Sequence, residues 1–261
     1  MTNTFFILLG DRIKLSLSSR RALFLAAIFF LACLLTTKVL LRIQAEAGTV
    51  GFRLGLASVG EDVPVFLLQA PVFSLSVFFG TLFALPFLVL LLRHDIPARE
   101  MEEGTLRFLT WRVGRSGLVL SRYLAGVIEV GSVTLSGFLA SWLWASVSSP
   151  GLCPVFPTLA YHLEAWFRQF PYLGALVACA LFLSTLSGRS RRTLGFIILV
   201  GILFLVLLHQ DELAYLSPFR VGYLTGLFSS SGDFLKSLLI YLAFNLVFVG
   251  GAVLAMKRKD L

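Results

Sequence analysis

The sequence predicts an all-α, multi-pass membrane protein, on three observations. Fifty-seven per cent of the 261 residues are apolar and only 14% are charged, and the mean hydropathy is +0.89, far from soluble usage. Several windows hold the ~20 mostly apolar residues needed to cross ~30 Å of hydrocarbon. The lysines and arginines, finally, alternate loop by loop between many and few, so the net charge of +8 forms no single nucleic-acid-binding face.

The first element is an interfacial helix within residues 1–21. Phe5, Leu9, Ile13 and Leu17 recur every four residues over Thr4–Ser19, while Asp11, Lys14 and Ser18 take another face. Arg20 and Arg21 then precede the first long apolar run, which reads as an uncleaved anchor. Six spans are expected, near Ala22–Leu41, Val72–Leu92, Tyr123–Val147, Pro171–Ser187, Leu194–His209 and Ser237–Met256. Only Gly188-Arg189-Ser190-Arg191-Arg192 joins the fourth to the fifth, which makes them a tight antiparallel pair. Pro86 is expected to kink the second span.

Between spans lie segments of two kinds. Arg42–Ala70 is Gly-rich without strong periodicity, and Ser148–Phe170 has three prolines followed by an interfacial stretch, Tyr161–Phe167. Residues 210–236 include Leu216-Ser217-Pro218-Phe219 and Gly222–Gly226, too interrupted to cross yet too apolar to float free. A re-entrant hairpin with its backbone buried in protein is expected there. Sixteen of the 22 basic residues fall in the N-terminal segment, the second and fourth loops and the C-terminal tail, against six on the other side. The positive-inside rule then places both termini in the cytoplasm, and six spans satisfy that parity.

Catalytic signatures are absent from the sequence. It has no Gly-Lys pair and hence no phosphate loop, no HExxH and no GxSxG. Cys33, Cys153 and Cys179 lie apart, with neither metal spacing nor a disulfide framework, so no metal site is expected. Glu129 is the acidic residue within a span, about two turns from Arg122 and so on the order of 10 Å deep. It either lies on a translocation path or subunit interface, or is a buried glutamate that orients helices. Asn245 in the last span reads first as an interhelical hydrogen bond, and second, with Glu129, as a residue of the translocation path or subunit interface. Lys38 can reach outward to the headgroups.

The most informative stretch is the charged hairpin Ala98–Gly126, which overlaps a cytoplasmic coupling loop at 93–122. It carries Arg99, Glu100, Glu102, Glu103, Arg107, Arg112, Arg115 and Arg122. Gly104 follows good helix formers and suits a left-handed helix end. Thr105 then sits where its hydroxyl would cap a short helix, Leu106–Trp111, that shows Leu106, Phe108, Leu109 and Trp111. Such a greasy set rimmed by charge is either a docking knob for another protein or tucks against its own helices or the headgroups.

Arg99-Glu100-Met101-Glu102-Glu103-Gly104-Thr105-Leu106, then Arg107-Phe108-Leu109, Arg115-Ser116 and Tyr123-Leu124-Ala125-Gly126, resemble the signature of type-2 (ABC-2-type) permease subunits of ATP-binding-cassette exporters. The likeness extends to Ser217-Pro218-Phe219, Asp233 and Lys257-Arg258-Lys259, whereas Val113-Gly114 and Arg122 stand where that family often has Pro and Lys. The resemblance implies one transmembrane domain over 1–261, an N-terminal elbow helix, and a coupling helix seated in a separate cytoplasmic ATPase. Glu103, Gly104, Thr105, Leu106, Arg107, Phe108, Leu109 and Trp111 would form that docking element, and Arg189, Arg191 and Arg192 a secondary contact. Arg107, Arg112 and Arg115 would steer toward an acidic rim on the partner. It implies further that ATP and magnesium belong to the partner, with no cofactor in this chain. A second permease subunit, identical or not, would complete a translocation path in the cytoplasmic membrane. Rival readings from other classes are an intramembrane enzyme acting on lipid or peptide, and a non-transporting membrane scaffold.

Overall fold

The computed structural model describes residues 2–57, 84–92, 96–105, 109–110, 113–148, 155–210, 213–228 and 231–259. In chain order its elements are α1 (Thr2–Leu17), α2 (Arg20–Ala57), α3 (84–92), α4 (Ile96–Glu102), α5 (Arg115–Ser148), α6 (Val155–Arg168), α7 (Phe170–Ser187) and α8 (Ser190–Leu208). A 3₁₀ turn (Ala214–Leu216), α9 (Val221–Gly226) and α10 (Ser231–Lys257) complete the chain. Among the described residues four stretches are long and apolar enough to cross a membrane: Arg20–Val39, Arg115–Ser148, Val155–Ser187 and Gly232–Lys257. The chain is thus an all-α protein of the multi-pass membrane type. Of the other two expected spans, the fifth corresponds to α8, whose apolar part Arg192–Phe204 is shorter. Residues 72–83 of the second lie outside the described residues; 84–92 are helical.

Two helices outrun their expected ends. α2 continues to Ala57 through a stretch read as irregular, because Gln44-Ala45-Glu46-Ala47 favour helix and nothing up to Ala57 is a proline. At 1.5 Å per residue it is about 57 Å long and must project past a ~30 Å hydrocarbon layer. α5 begins at Arg115 instead of Tyr123, which brings eight loop residues onto a helix. The opposite happens in Val155–Ser187. Pro171 has no N–H to continue the ladder, and the Gln169 N–H bonds Trp166 O at a tight three-residue spacing. The stretch therefore divides into α6 and α7, and the expected interfacial segment Tyr161–Phe167 lies inside α6.

α5 and α7 form the centre. About two thirds of the apolar window in each is buried, 61% for α5 and 67% for the α6–α7 stretch, against 22% in α2 and 17% in α10. α2 lies on α5 where Gly137 admits the Phe29 ring and Cys33 Sγ; a Cβ at Gly137 would stand 2.6 and 2.7 Å from Phe29 Cδ1 and that sulfur. Beside this contact the buried Thr37 hydroxyl donates to Ser141 Oγ at 2.9 Å. The outward faces of α2 and α10 carry Phe24, Leu31, Leu35, Leu246, Val247 and Leu254, all more than half exposed. In water that surface would drive aggregation; against acyl chains it is satisfied.

α1 turns Phe5, Leu9 and Ile13 partly inward and keeps Asp11 and Lys14 exposed, as its periodicity predicts, whereas Leu17 at its end is exposed. Ser19 Oγ accepts the Ala22 N–H at 3.1 Å and so caps α2. Within 210–236 the described elements are the 3₁₀ turn, a Ser217–Phe219 turn, α9 and the first turns of α10, which starts at Ser231, six residues before the expected span. Tyr241 of α10 donates its hydroxyl to Pro218 O at 3.0 Å, which pins that turn.

Candidate functional site

The charged hairpin emerges as a short post, α4, held at the base of three other helices. Its N-terminal end is fixed by the Ala98 N–H, which donates to Ser184 Oγ of α7 at 3.2 Å. One turn on, Glu100 is 8% exposed and gripped from two sides. Arg122 of α5 donates Nε and Nη2 to Glu100 Oε2, at 3.0 and 2.7 Å. Arg12 of α1 sets Nη1 2.9 Å from Oε1. Both carboxylate oxygens are thus engaged by guanidinium donors, the arrangement that offsets the desolvation of a buried carboxylate.

α4 ends where the sequence indicates. Gly104 is left-handed (φ +69°), with its N–H bonded to Met101 O at 3.2 Å. Open space surrounds the position of its absent Cβ, so conformation, not crowding, favours glycine. Arg99 and Glu103 form an exposed pair at 2.8 Å. The Thr105 hydroxyl donates back to Glu100 O at 3.2 Å, satisfying a carbonyl at the end of α4; residues 106–108, which it was expected to cap, lie outside the described residues.

Leu106, Arg107, Phe108, Trp111 and Arg112, five members of the expected docking and steering set, lie outside the described residues. Leu109 is described, and it turns inward. It is half-buried and packs on a cluster of Leu118, Val119, Leu181, Ala252 and Met256, so for this residue the packing reading holds. Gly114 then supplies a second left-handed turn (φ +77°) where the resembling family often has proline. Arg115 was expected to steer a partner. Within the chain its Nη1 donates to Lys257 O at 2.6 Å and Met256 O at 3.4 Å, capping the last carbonyls of α10, where a cation also meets the negative end of the helix dipole.

The second expected contact lies at the same end of the bundle. Gly188 (φ +62°) ends α7, and the Ser187 and Thr193 hydroxyls bond across the turn. Arg189 and Arg192 are exposed; the Arg191 side chain lies outside the described set. Lys259 of the tail sits over this turn, with Nζ 3.5 Å from Met101 Sδ, and burial lowers its pKa from the ordinary lysine value. The N-terminal helix, the hairpin, the Gly188 turn and the C-terminal tail, the four segments rich in positive charge, therefore meet at one end.

The expected in-span polar residues are placed deeper. Glu129 is 3% exposed on α5, two turns beyond Arg122 on one buried stripe with Ala125 and Gly126. Asn245 joins three helices. It accepts from the Tyr123 hydroxyl at 2.7 Å and donates to Pro171 O at 3.2 Å and Tyr241 O at 2.8 Å, the interhelical role expected of it. Gly174 makes room, since a Cβ there would lie 2.8 Å from Tyr123 Oη. His162 is buried, with Nδ1 2.7 Å from Thr158 O and edge-on to Phe138 and Tyr161. Among the described residues no three His, Cys, Asp or Glu side chains gather as a metal group.

Sequence reasoning missed Arg12 and Arg122 as partners of Glu100. Three glutamates, Glu100, Glu102 and Glu103, precede the break, and their spacing does not single out Glu100 as the one that Arg122 meets once α5 reaches back to Arg115. No protein-family model matches the sequence, and no curated protein does.

Proposed function

We propose that this chain is the membrane subunit of an ATP-driven exporter of the ABC-2 permease type, working with a second permease subunit and with separate cytoplasmic ATPase subunits that bind ATP and magnesium. The supporting observation is the grip on Glu100. A segment that is to receive a push from outside must be rigidly joined to helices that cross the bilayer, and α4 is joined to α1, α5 and α7 within two turns of the Gly104 break. Force applied beyond Gly104 would pass through the Glu100 carboxylate into α5, which also carries Glu129. On this reading the chain has six spans, α1 is the elbow, 106–111 is the coupling element, the Ser217–Phe219 turn belongs to a re-entrant hairpin, and both termini face the cytoplasm. The chain itself has no cofactor and does no catalysis.

The test is Leu106→Asp in the epitope-tagged full chain, with the ATPase read by co-purification from membranes. Leu109 is the poorer choice, because its side chain packs inside. Leu106→Asp should insert at wild-type level and lose the nucleotide-binding partner; co-purification at wild-type yield would sink the docking role.

A further inference from the structure

α8 is fastened at its two ends, with Ile197 packed on the core between them. At one end Thr193 is fully buried, its hydroxyl bonded to that of Ser187 in α7. At the other, the Phe204 ring meets the Phe219 ring edge-on, centroids 6.0 Å apart. Between these points, α3, α7, α8 and the Ser217–Phe219 turn enclose a cavity of about 190 Å³ with apolar residues throughout its lining, among them Val89, Leu176, Leu183, Ile197, Gly201 and Phe219. Nothing lies within 4 Å of where a Gly201 Cβ would be. A cavity with such a lining offers water no partners and takes an apolar occupant.

Depth and charge identify the occupant. The lining residues of α7 run from Leu183 back to Leu176 and those of α8 from Ile197 on to Phe204. Each set therefore begins five residues from the Gly188–Arg192 turn and ends twelve residues from it. At 1.5 Å per residue the cavity spans depths of about 8 to 18 Å from the turn, which overlaps the inner part of one ~15 Å leaflet of hydrocarbon. The turn five residues from the cavity's near end exposes Arg189 and Arg192. We infer that the cavity holds one acyl chain of an anionic membrane lipid, whose phosphate rests on the Arg189–Arg192 turn. The site would exist whether or not the chain is an exporter subunit. Such a lipid brings its own counter-charge to a turn that otherwise faces the headgroups with cations alone, and its chain completes the packing of α8.

Full chain purified in detergent, mixed with equal amounts of phosphatidylglycerol and phosphatidylcholine of identical chains, and read by native mass spectrometry for retained lipid, tests this. The wild type should retain phosphatidylglycerol preferentially. Arg189→Gln with Arg192→Gln should lower that preference by about fivefold per arginine, the effect of one cation near an anionic headgroup. Gly201→Leu fills the cavity without touching the turn and should abolish retention of both lipids. Two competitors separate the parts: glycerol phosphate has the charge without a chain, and methyl laurate a chain without the charge. Neither should displace phosphatidylglycerol as well as phosphatidylglycerol itself does. No preference in the wild type, or undiminished retention in Gly201→Leu, would overturn the inference. So would full displacement by glycerol phosphate, which means a surface site, or by methyl laurate, which means a bare apolar hole. Should either variant lose monodispersity, the wild-type competition arms decide alone.

Discussion

Arg122 places Nε and Nη2 on a single oxygen of Glu100, at 3.0 and 2.7 Å, while its own side chain is only 3% exposed. A guanidinium so thoroughly withdrawn from water is held there by its carboxylate, and the second oxygen of that carboxylate answers to Arg12. The three side chains bind α1, α4 and α5 into one unit.

Breaking this unit from either side should be costly. Arg122→Ala leaves a buried carboxylate with one exposed-side partner, and Glu100→Ala leaves a buried guanidinium; each should destabilise by ~3–5 kcal/mol. The double variant should cost clearly less than the two losses added together. Thermal unfolding of the four proteins in detergent measures this, and additive losses would show that the pair is not coupled.

The Gly104 break depends on backbone conformation alone. Gly104→Ala meets no neighbour but forces an L-residue to φ +69°, a penalty of ~1–2 kcal/mol. Gly104→Asn should recover part of it, because asparagine tolerates the left-handed region. Equal melting temperatures for the two variants would argue against a conformational origin.

Gly174→Ala tests the junction at Asn245. Its methyl would stand 2.8 Å from Tyr123 Oη and 2.9 Å from Asn245 Oδ1, so α7 must shift or the hydrogen bond must open, at ~1–3 kcal/mol. Adding Tyr123→Phe removes one of the two clashing oxygens and should restore part of the loss. If Tyr123→Phe instead worsens the Gly174→Ala protein, the methyl is accommodated in some other way.

Lys259 contributes a pH dependence. Burial against the Gly188 turn lowers its pKa below the ordinary lysine value, so over the interval between the lowered and the unfolded values the unfolded chain holds more proton than the folded one. Stability from this residue therefore rises as pH rises through that interval, and is least below it. The wild type should gain melting temperature relative to Lys259→Gln as pH moves up toward ~10.4. A parallel pH response in both proteins would exclude the effect.

Hydrophobic length and local conformation were decided by the sequence itself. Twenty apolar residues need a bilayer whatever they pack on, and so α2, α5, α7 and α10 could be read directly, as could the left-handed end at Gly104 and the bonding role of Asn245. The fate of the charges needed tertiary structure. Arg115 and Arg122 count as loop cations until α5 extends back to Arg115; only then does one face the end of α10 and the other Glu100. Leu109 looks like part of an exposed knob until Leu181 and Met256, from helices far along the chain, close over it. Periodicity reports which face of a helix is apolar. Which carboxylate an arginine finds on that face is settled by how helices distant in sequence are packed.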